Sequence, residues 1–179
     1  AFLPGYPVWV WFIPPGRTHP LRELYSLLHA GSVSIPGPAI DRLCEVAADC
    51  GIDVAMGVNE RNSEASNSTL FNTLVLIGRE GTVLGRQRKF IPTAGERLVW
   101  GRGDGSELAV HDRAYGRVGG LLCWGIYVPR ARATLGAGGE AGMAHTPDEG
   151  YRNVGGPDGT LRAYLTLLVL DRMTSADRA

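Results

Sequence analysis

The run Val118-Gly119-Gly120-Leu121-Leu122-Cys123-Trp124-Gly125-Ile126 decides how this chain is read. Its first five residues form an apolar stretch short enough for a buried strand. The stretch ends at Cys123, and a helical segment begins near Pro129, so the cysteine falls on a sharp strand-to-helix turn. A nucleophile at such a turn is exposed at the sheet edge, and backbone N–H groups just beyond it can point at a developing oxyanion. The same residues also fit a plainer reading, in which Cys123 is a small buried hydrophobe, as most free cysteines are.

Working outward, the hydrophobic period changes along the chain. Leu21 to Ala30 carries Leu21, Leu24, Tyr25 and Leu28 at helical spacing, and Ala39 to Cys50 carries Ile40, Leu43, Val46 and Ala47 on one face, with Gly51 as its stop. Ile52 to Val58 and Thr69 to Ile77 are strand-like runs, and Thr82 to Phe90 follows the turn Gly78-Arg79-Glu80-Gly81, which predicts an antiparallel hairpin. Gly101 to Ser106 reads as a loop, Tyr127 to Leu135 as a helix and Ala141 to His145 as a strand, while Thr160 to Leu170 fits either helix or strand. Residues 1–20, rich in proline and aromatics, read as an ordered loop or short strand. Interleaved helices and strands predict an α/β or mixed layered class. No linker divides residues 1–179 into two domains.

Composition narrows the partners. The chain has 179 residues, 44% hydrophobic, with 18 basic and 18 acidic side chains. A neutral balance lacks the broad basic field that supplies most nucleic-acid affinity and attraction to anionic lipid, so neither nucleic acid nor membrane is an expected partner. No apolar stretch approaches the roughly 18 residues of a membrane span. The odd number of cysteines, Cys44, Cys50 and Cys123, without a C-x-x-C pair, points to a reducing, cytoplasmic setting.

Common catalytic signatures are missing: there is no G-x-S-x-G, H-E-x-x-H or G-x-x-x-x-G-K-[ST]. His19, His29, His111 and His145 are scattered, so no metal site and no cofactor is expected. Arg102-Gly103-Asp104 spells an adhesion tripeptide, which arises readily by chance in a Gly-rich loop. Lys89, within Arg86-Gln87-Arg88-Lys89-Phe90-Ile91-Pro92-Thr93, ends a predicted strand, with Glu96 seven residues on. Brought beside Cys123, Lys89 would favour the thiolate and stabilise negative charge. Otherwise it is a basic strand end facing solvent.

Three separated stretches resemble the nitrilase branch of the carbon-nitrogen hydrolase superfamily: Ala1-Phe2-Leu3-Pro4-Gly5-Tyr6-Pro7; Arg88-Lys89-Phe90-Ile91-Pro92-Thr93 with Glu96-Arg97 and Trp100-Gly101; and Gly116 to Trp124. Gly57-Val58-Asn59-Glu60 and Thr69-Leu70-Phe71-Asn72-Thr73 extend it, and the likeness runs from residue 1 to about residue 135. The resemblance implies an α-β-β-α sandwich, here incomplete at both ends, and a cysteine hydrolase that converts a small organic nitrile to carboxylic acid and ammonia. It makes Cys123 the nucleophile, Lys89 the cation that stabilises the tetrahedral intermediate, and Glu96 the carboxylate that holds Lys89 and substrate. It places the backbone N–H of Trp124, together with Tyr6, around the substrate. A homo-oligomer is implied for the full-length protein.

The chain departs from that branch in two main places and one lesser one. The family's first glutamate, its general base, would fall immediately before Ala1, so this chain alone is expected to show little turnover. The family's usual Cys-Trp-Glu-Asn is Cys123-Trp124-Gly125-Ile126 here, and Gln87 stands where a histidine is common. Two other readings stay open: a non-catalytic binding or scaffold homologue that keeps the fold, and an amidase using the same three side chains.

Overall fold

The computed structural model describes residues 7–14, 16–64, 66–137, 142–145 and 168–169. Two amphipathic helices come first, α1 (Thr18–Ala30) and α2 (Pro38–Cys50). Each shows the expected 3.6-residue stripe, and α2 starts with proline in its first turn and ends at Gly51 in the left-handed conformation (φ 63°). Strands β1 (Val54–Arg61), β2 (Leu70–Ile77) and β3 (Val83–Arg88) follow as an antiparallel meander. Strand β4 (His111–Arg113) pairs antiparallel with β5 (Gly116–Leu121), which pairs in parallel with β6 (Gly142–His145). Helix α3 (Pro129–Ala137) supplies the crossover between them. A two-residue strand, β7 (Leu168–Val169), joins the free edge of β1, so that this part of the Thr160–Leu170 segment is strand; its other residues lie outside the described set.

The period-2 alternation of the strands builds the layers. Val54 and Met56 of β1 and Val75 and Ile77 of β2 face α2, where Ile40 and Ala47 cover them. The intervening Ala55, Leu74 and Leu76 face the other way and pack on Leu122, just past β5. Leu121 points from the second sheet onto Ala131 and Leu135 of α3. The result is helix, sheet, sheet, helix, the α-β-β-α sandwich that the resemblance implies. Gly119 is what allows the last layer to close, because a Cβ there would lie 2.8 Å from Leu135 Cδ2.

The hairpin expected at Gly78–Gly81 forms, with Gly78 N–H donating to Thr82 O and Gly81 N–H to Gly78 O, both at 2.8 Å. Gly81 has φ 78° and passes 3.0 Å from the Cys44 carbonyl at its Cβ position, so the turn tucks under α2. The N-terminal region differs from expectation. Val8–Trp11 is a 3-10 helix rather than a loop or strand, with Val10 N–H donating to Pro7 O and Phe12 N–H to Trp9 O, each at 3.1 Å. The backbone satisfies itself locally, and Val10 is buried with Leu28, Leu70, Val99 and Trp100.

Candidate active site

Cys123 opens a 3-10 turn, Cys123–Tyr127, directly after β5. Its φ is 49°, a left-handed conformation that a residue with a Cβ adopts only when its surroundings enforce it. The enforcement is visible on both sides. Leu121 and Leu122 are locked into opposite layers, and Gly125 N–H donates to Leu122 O at 2.8 Å. Cys123 is 7% exposed, whereas Cys50, on α2, is exposed and Cys44 is half-buried. Burial, reinforced by Asp41, pushes the Cys44 thiol up from its ordinary value.

Lys89 lies one residue past β3 and is buried at 2% exposure. This corrects the solvent-facing alternative: the strand end turns inward. Both of its backbone groups are tied down, the N–H to Asn72 O at 2.8 Å and the carbonyl by Gly103 N–H at 2.9 Å. The Nζ donates to Glu96 Oε2 at 2.7 Å. Glu96 is fully buried in the 3-10 turn Ala94–Leu98, where it completes a capping box: Thr93 N–H donates to the same Oε2 at 2.6 Å and Thr93's side chain accepts from the Glu96 backbone. The spacing of seven between Lys89 and Glu96 is thus one strand exit, one Pro-containing corner and one capped turn.

Packing on both sides of Lys89 brings its segment to the chain around Cys123. Phe90 packs on the cluster containing Leu121, while Gln87 pairs in register with Leu74, which packs on Leu122. Trp100 is buried with Val10, Leu28, Leu70 and Val99, and its indole Nε1–H donates to Asn59 Oδ1 at 2.8 Å. Gly103 sits against Arg88, where a Cβ would come within 2.5 Å of the Arg88 carbonyl oxygen, so the Arg102-Gly103-Asp104 loop is pressed onto β3. Tyr6 lies outside the described residues. The backbone of Trp124 belongs to the 3-10 turn, and its side chain lies outside the described set.

Two further buried carboxylates have no role assigned from the sequence alone. Glu60 on β1 accepts from Thr73, Arg86 and Arg88. Asp53 accepts from the Arg79 backbone and from Arg113. The alternating charges of Arg86-Gln87-Arg88 were the available signal for Glu60, since two arginines on one strand face need an acid across the sheet. Among the described residues no group of three His, Cys, Asp or Glu side chains is placed to hold a metal ion, and no helix is long and apolar enough to cross a membrane.

Residues 1–157 match the family model of the carbon-nitrogen hydrolases. The chain belongs to the carbon-nitrogen hydrolase family. It is 46% identical over 124 residues to a protein called nitrilase 2 from an unknown prokaryotic organism, covering 69% of this chain and 38% of that one. It is 38% identical over 141 residues to a bifunctional nitrilase/nitrile hydratase of Nicotiana tabacum, covering 78% of this chain and 39% of the relative. The chain therefore spans about two fifths of the length of the curated relatives it matches. An amidase from Nesterenkonia shares the fold with a TM-score of 0.53 at 18% identity, over 65% of this chain and 46% of the amidase. This carbon-nitrogen hydrolase thus has the family's sandwich, with Cys123, Lys89 and Glu96 on the elements just described.

Proposed function

We propose that this carbon-nitrogen hydrolase converts a small organic nitrile to its carboxylic acid and ammonia, with Cys123 as nucleophile. The observation that carries the reading is the buried Lys89–Glu96 pair, on a strand end whose next residue, Phe90, packs against the cluster of Leu121, two residues before a cysteine held in a left-handed turn. An ammonium held by one carboxylate in a site sheltered from water keeps further N–H donors for charge that develops during reaction.

In this reading the Cys123 sulfur adds to the nitrile carbon, the C–S bond forms, and the nitrile nitrogen takes a proton to give a thioimidate. Water then adds to the same carbon, the C–N bond breaks, and the nitrogen leaves as ammonia after protonation. A thioester remains. A second water adds, the C–S bond breaks, and the thiol is regenerated as the acid departs. Lys89 stabilises each tetrahedral intermediate, with the Trp124 backbone N–H as a second donor, and Glu96 holds the Lys89 side chain in place. The names of the relatives favour nitriles over amides, since the proteins at 46% and 38% identity are a nitrilase and a bifunctional nitrilase/nitrile hydratase.

One observation bears on the non-catalytic reading. Gly125 is buried, yet among the described residues a Cβ there would meet Leu121 Cβ at an ordinary 3.8 Å, so the packing described does not demand glycine beside the nucleophile. Ammonia release from a panel of aliphatic and aromatic nitriles, measured on the protein at its full natural length, tests the proposal. Release by the natural protein that disappears in Cys123→Ala supports it. No release from the natural protein, with release from Gly125→Glu, would show a degenerate site on a competent scaffold.

A further inference from the structure

Strand β3 presents different chemistry on its two faces. By strand alternation, Gln87 and then Lys89 look toward the second sheet, while Arg86 and Arg88 look toward the helix layer, where Glu60 waits on β1. Glu60 is 1% exposed. Arg88 grips it as a fork, with Nη2 2.6 Å from Oε1 and Nε 3.0 Å from Oε2. Arg86 Nη1 adds a third charged contact at 2.9 Å, and Thr73 Oγ1 on the intervening β2 donates to Oε2 at 2.6 Å. Arg86 continues outward to the Ile35 carbonyl, Glu64 and Glu107, and the Arg88 guanidinium lies 4.3 Å from the centroid of the Phe71 ring.

A carboxylate so deeply buried is costly to desolvate and persists only when its lone pairs are filled in good geometry. Glu60 meets that condition by tying β1, β2 and β3 together at the end of the sheet from which Lys89 emerges. Arg88 and Lys89 are consecutive, so any rotation or fraying of the β3 end that releases Arg88 also swings the Lys89 side chain. We propose that Glu60 is a positioning residue: by holding Arg88 on the outer face, it fixes the strand end that aims Lys89 toward the nucleophile on the inner face. The consequence for catalysis rests on the reading of Lys89 given above, whereas the mechanical coupling from Glu60 to the β3 end does not.

The test uses the full-length protein with Glu60→Gln, which removes the charge at nearly constant shape, and Glu60→Asp, which keeps it. Hydrogen exchange is followed by mass spectrometry on peptides spanning 86–90 and 100–104, which contain the Lys89 and Gly103 amides. The expected result for Glu60→Gln is faster exchange confined to those peptides, at least tenfold, with kcat for nitrile hydrolysis lowered about tenfold and KM little changed, since small displacements of a catalytic group are costly. Glu60→Asp should recover most of both. Should Glu60→Gln not fold, Arg88→Lys, which keeps the charge but loses the fork, is read by the same criteria. Exchange at 86–90 equal to the parent, or faster uniformly across the protein, would overturn the proposal. Local loosening in a protein whose parent turns over no nitrile would leave the coupling standing and sink the nitrile reading instead.

Discussion

Lys89 Nζ lies 2.7 Å from Glu96 Oε2, and each of the two side chains is 1% exposed. The pair is therefore a buried ion pair in which each partner offsets part of the other's cost of leaving water. Breaking such a pair from one side is more damaging than removing it whole. Lys89→Met takes the ammonium away from a buried carboxylate that the Thr93 N–H also binds, and should cost about 3–5 kcal/mol in chemical denaturation. Glu96→Leu should cost a similar amount, and the double variant clearly less than the sum of the two. Additive losses in this double-mutant cycle would mean that the ion pair contributes no coupling.

A second carboxylate gives a pH signature. Burial by itself would raise the Asp53 carboxyl, but the hydrogen bonds from Arg113 and the Arg79 backbone N–H outweigh it and hold it below the usual range. A carboxyl depressed in the folded state contributes stability above its unfolded value, about 3.9. That contribution is lost as pH falls through the lower folded value. Thermal melting followed from neutral pH downward should therefore show an acid destabilisation that is shallower in Asp53→Asn than in the parent. Parallel curves would contradict it.

Tyr115 shares that site and shifts in the opposite sense. Burial, with its hydrogen bond to Asp53, pushes its phenol up to about 12. A raised phenol contributes stability that is fully present below the unfolded value of about 10 and is lost as pH rises toward 12. Phenolate absorbance should show a late-titrating component from Tyr115, beside Tyr25, whose phenol burial also pushes up, and Asp53→Asn should bring the Tyr115 part back toward the ordinary value. Tyr115→Phe should remove that part and leave the one from Tyr25.

Gly119 offers a packing test. The 2.8 Å approach to Leu135 Cδ2 means that Gly119→Ala forces fully buried Leu135 and α3 outward. Overpacking of this kind costs about 1–3 kcal/mol. Adding Leu135→Val should recover part of the loss, because it removes one methylene from the collision. An unchanged denaturation midpoint in Gly119→Ala would mean that α3 has slack the structure does not show.

Much of the architecture was legible in local sequence because the determining signals are short. Gly51 stops α2, Gly78–Gly81 turns β2 into β3, and the alternation of Val54, Ala55 and Met56 assigns the strand faces. The Val8–Trp11 turn was not legible, since aromatic and β-branched residues suit a strand equally well. At the site, the resemblance supplied Cys123, Lys89 and Glu96, and geometry added what spacing cannot express. Glu96 caps its own helix while it binds Lys89. Glu60 and Asp53 went unread because their arginine partners are 26 to 60 residues away in the chain.

The most direct measurement of the central claim is intact and peptide mass of the full-length protein after acid quench from a nitrile reaction. The account predicts a single covalent adduct on Cys123, absent in Cys123→Ala and strongly reduced in Lys89→Met, while exposed Cys50 stays unmodified. An unmodified Cys123 under turnover, or an adduct confined to Cys50, would contradict it.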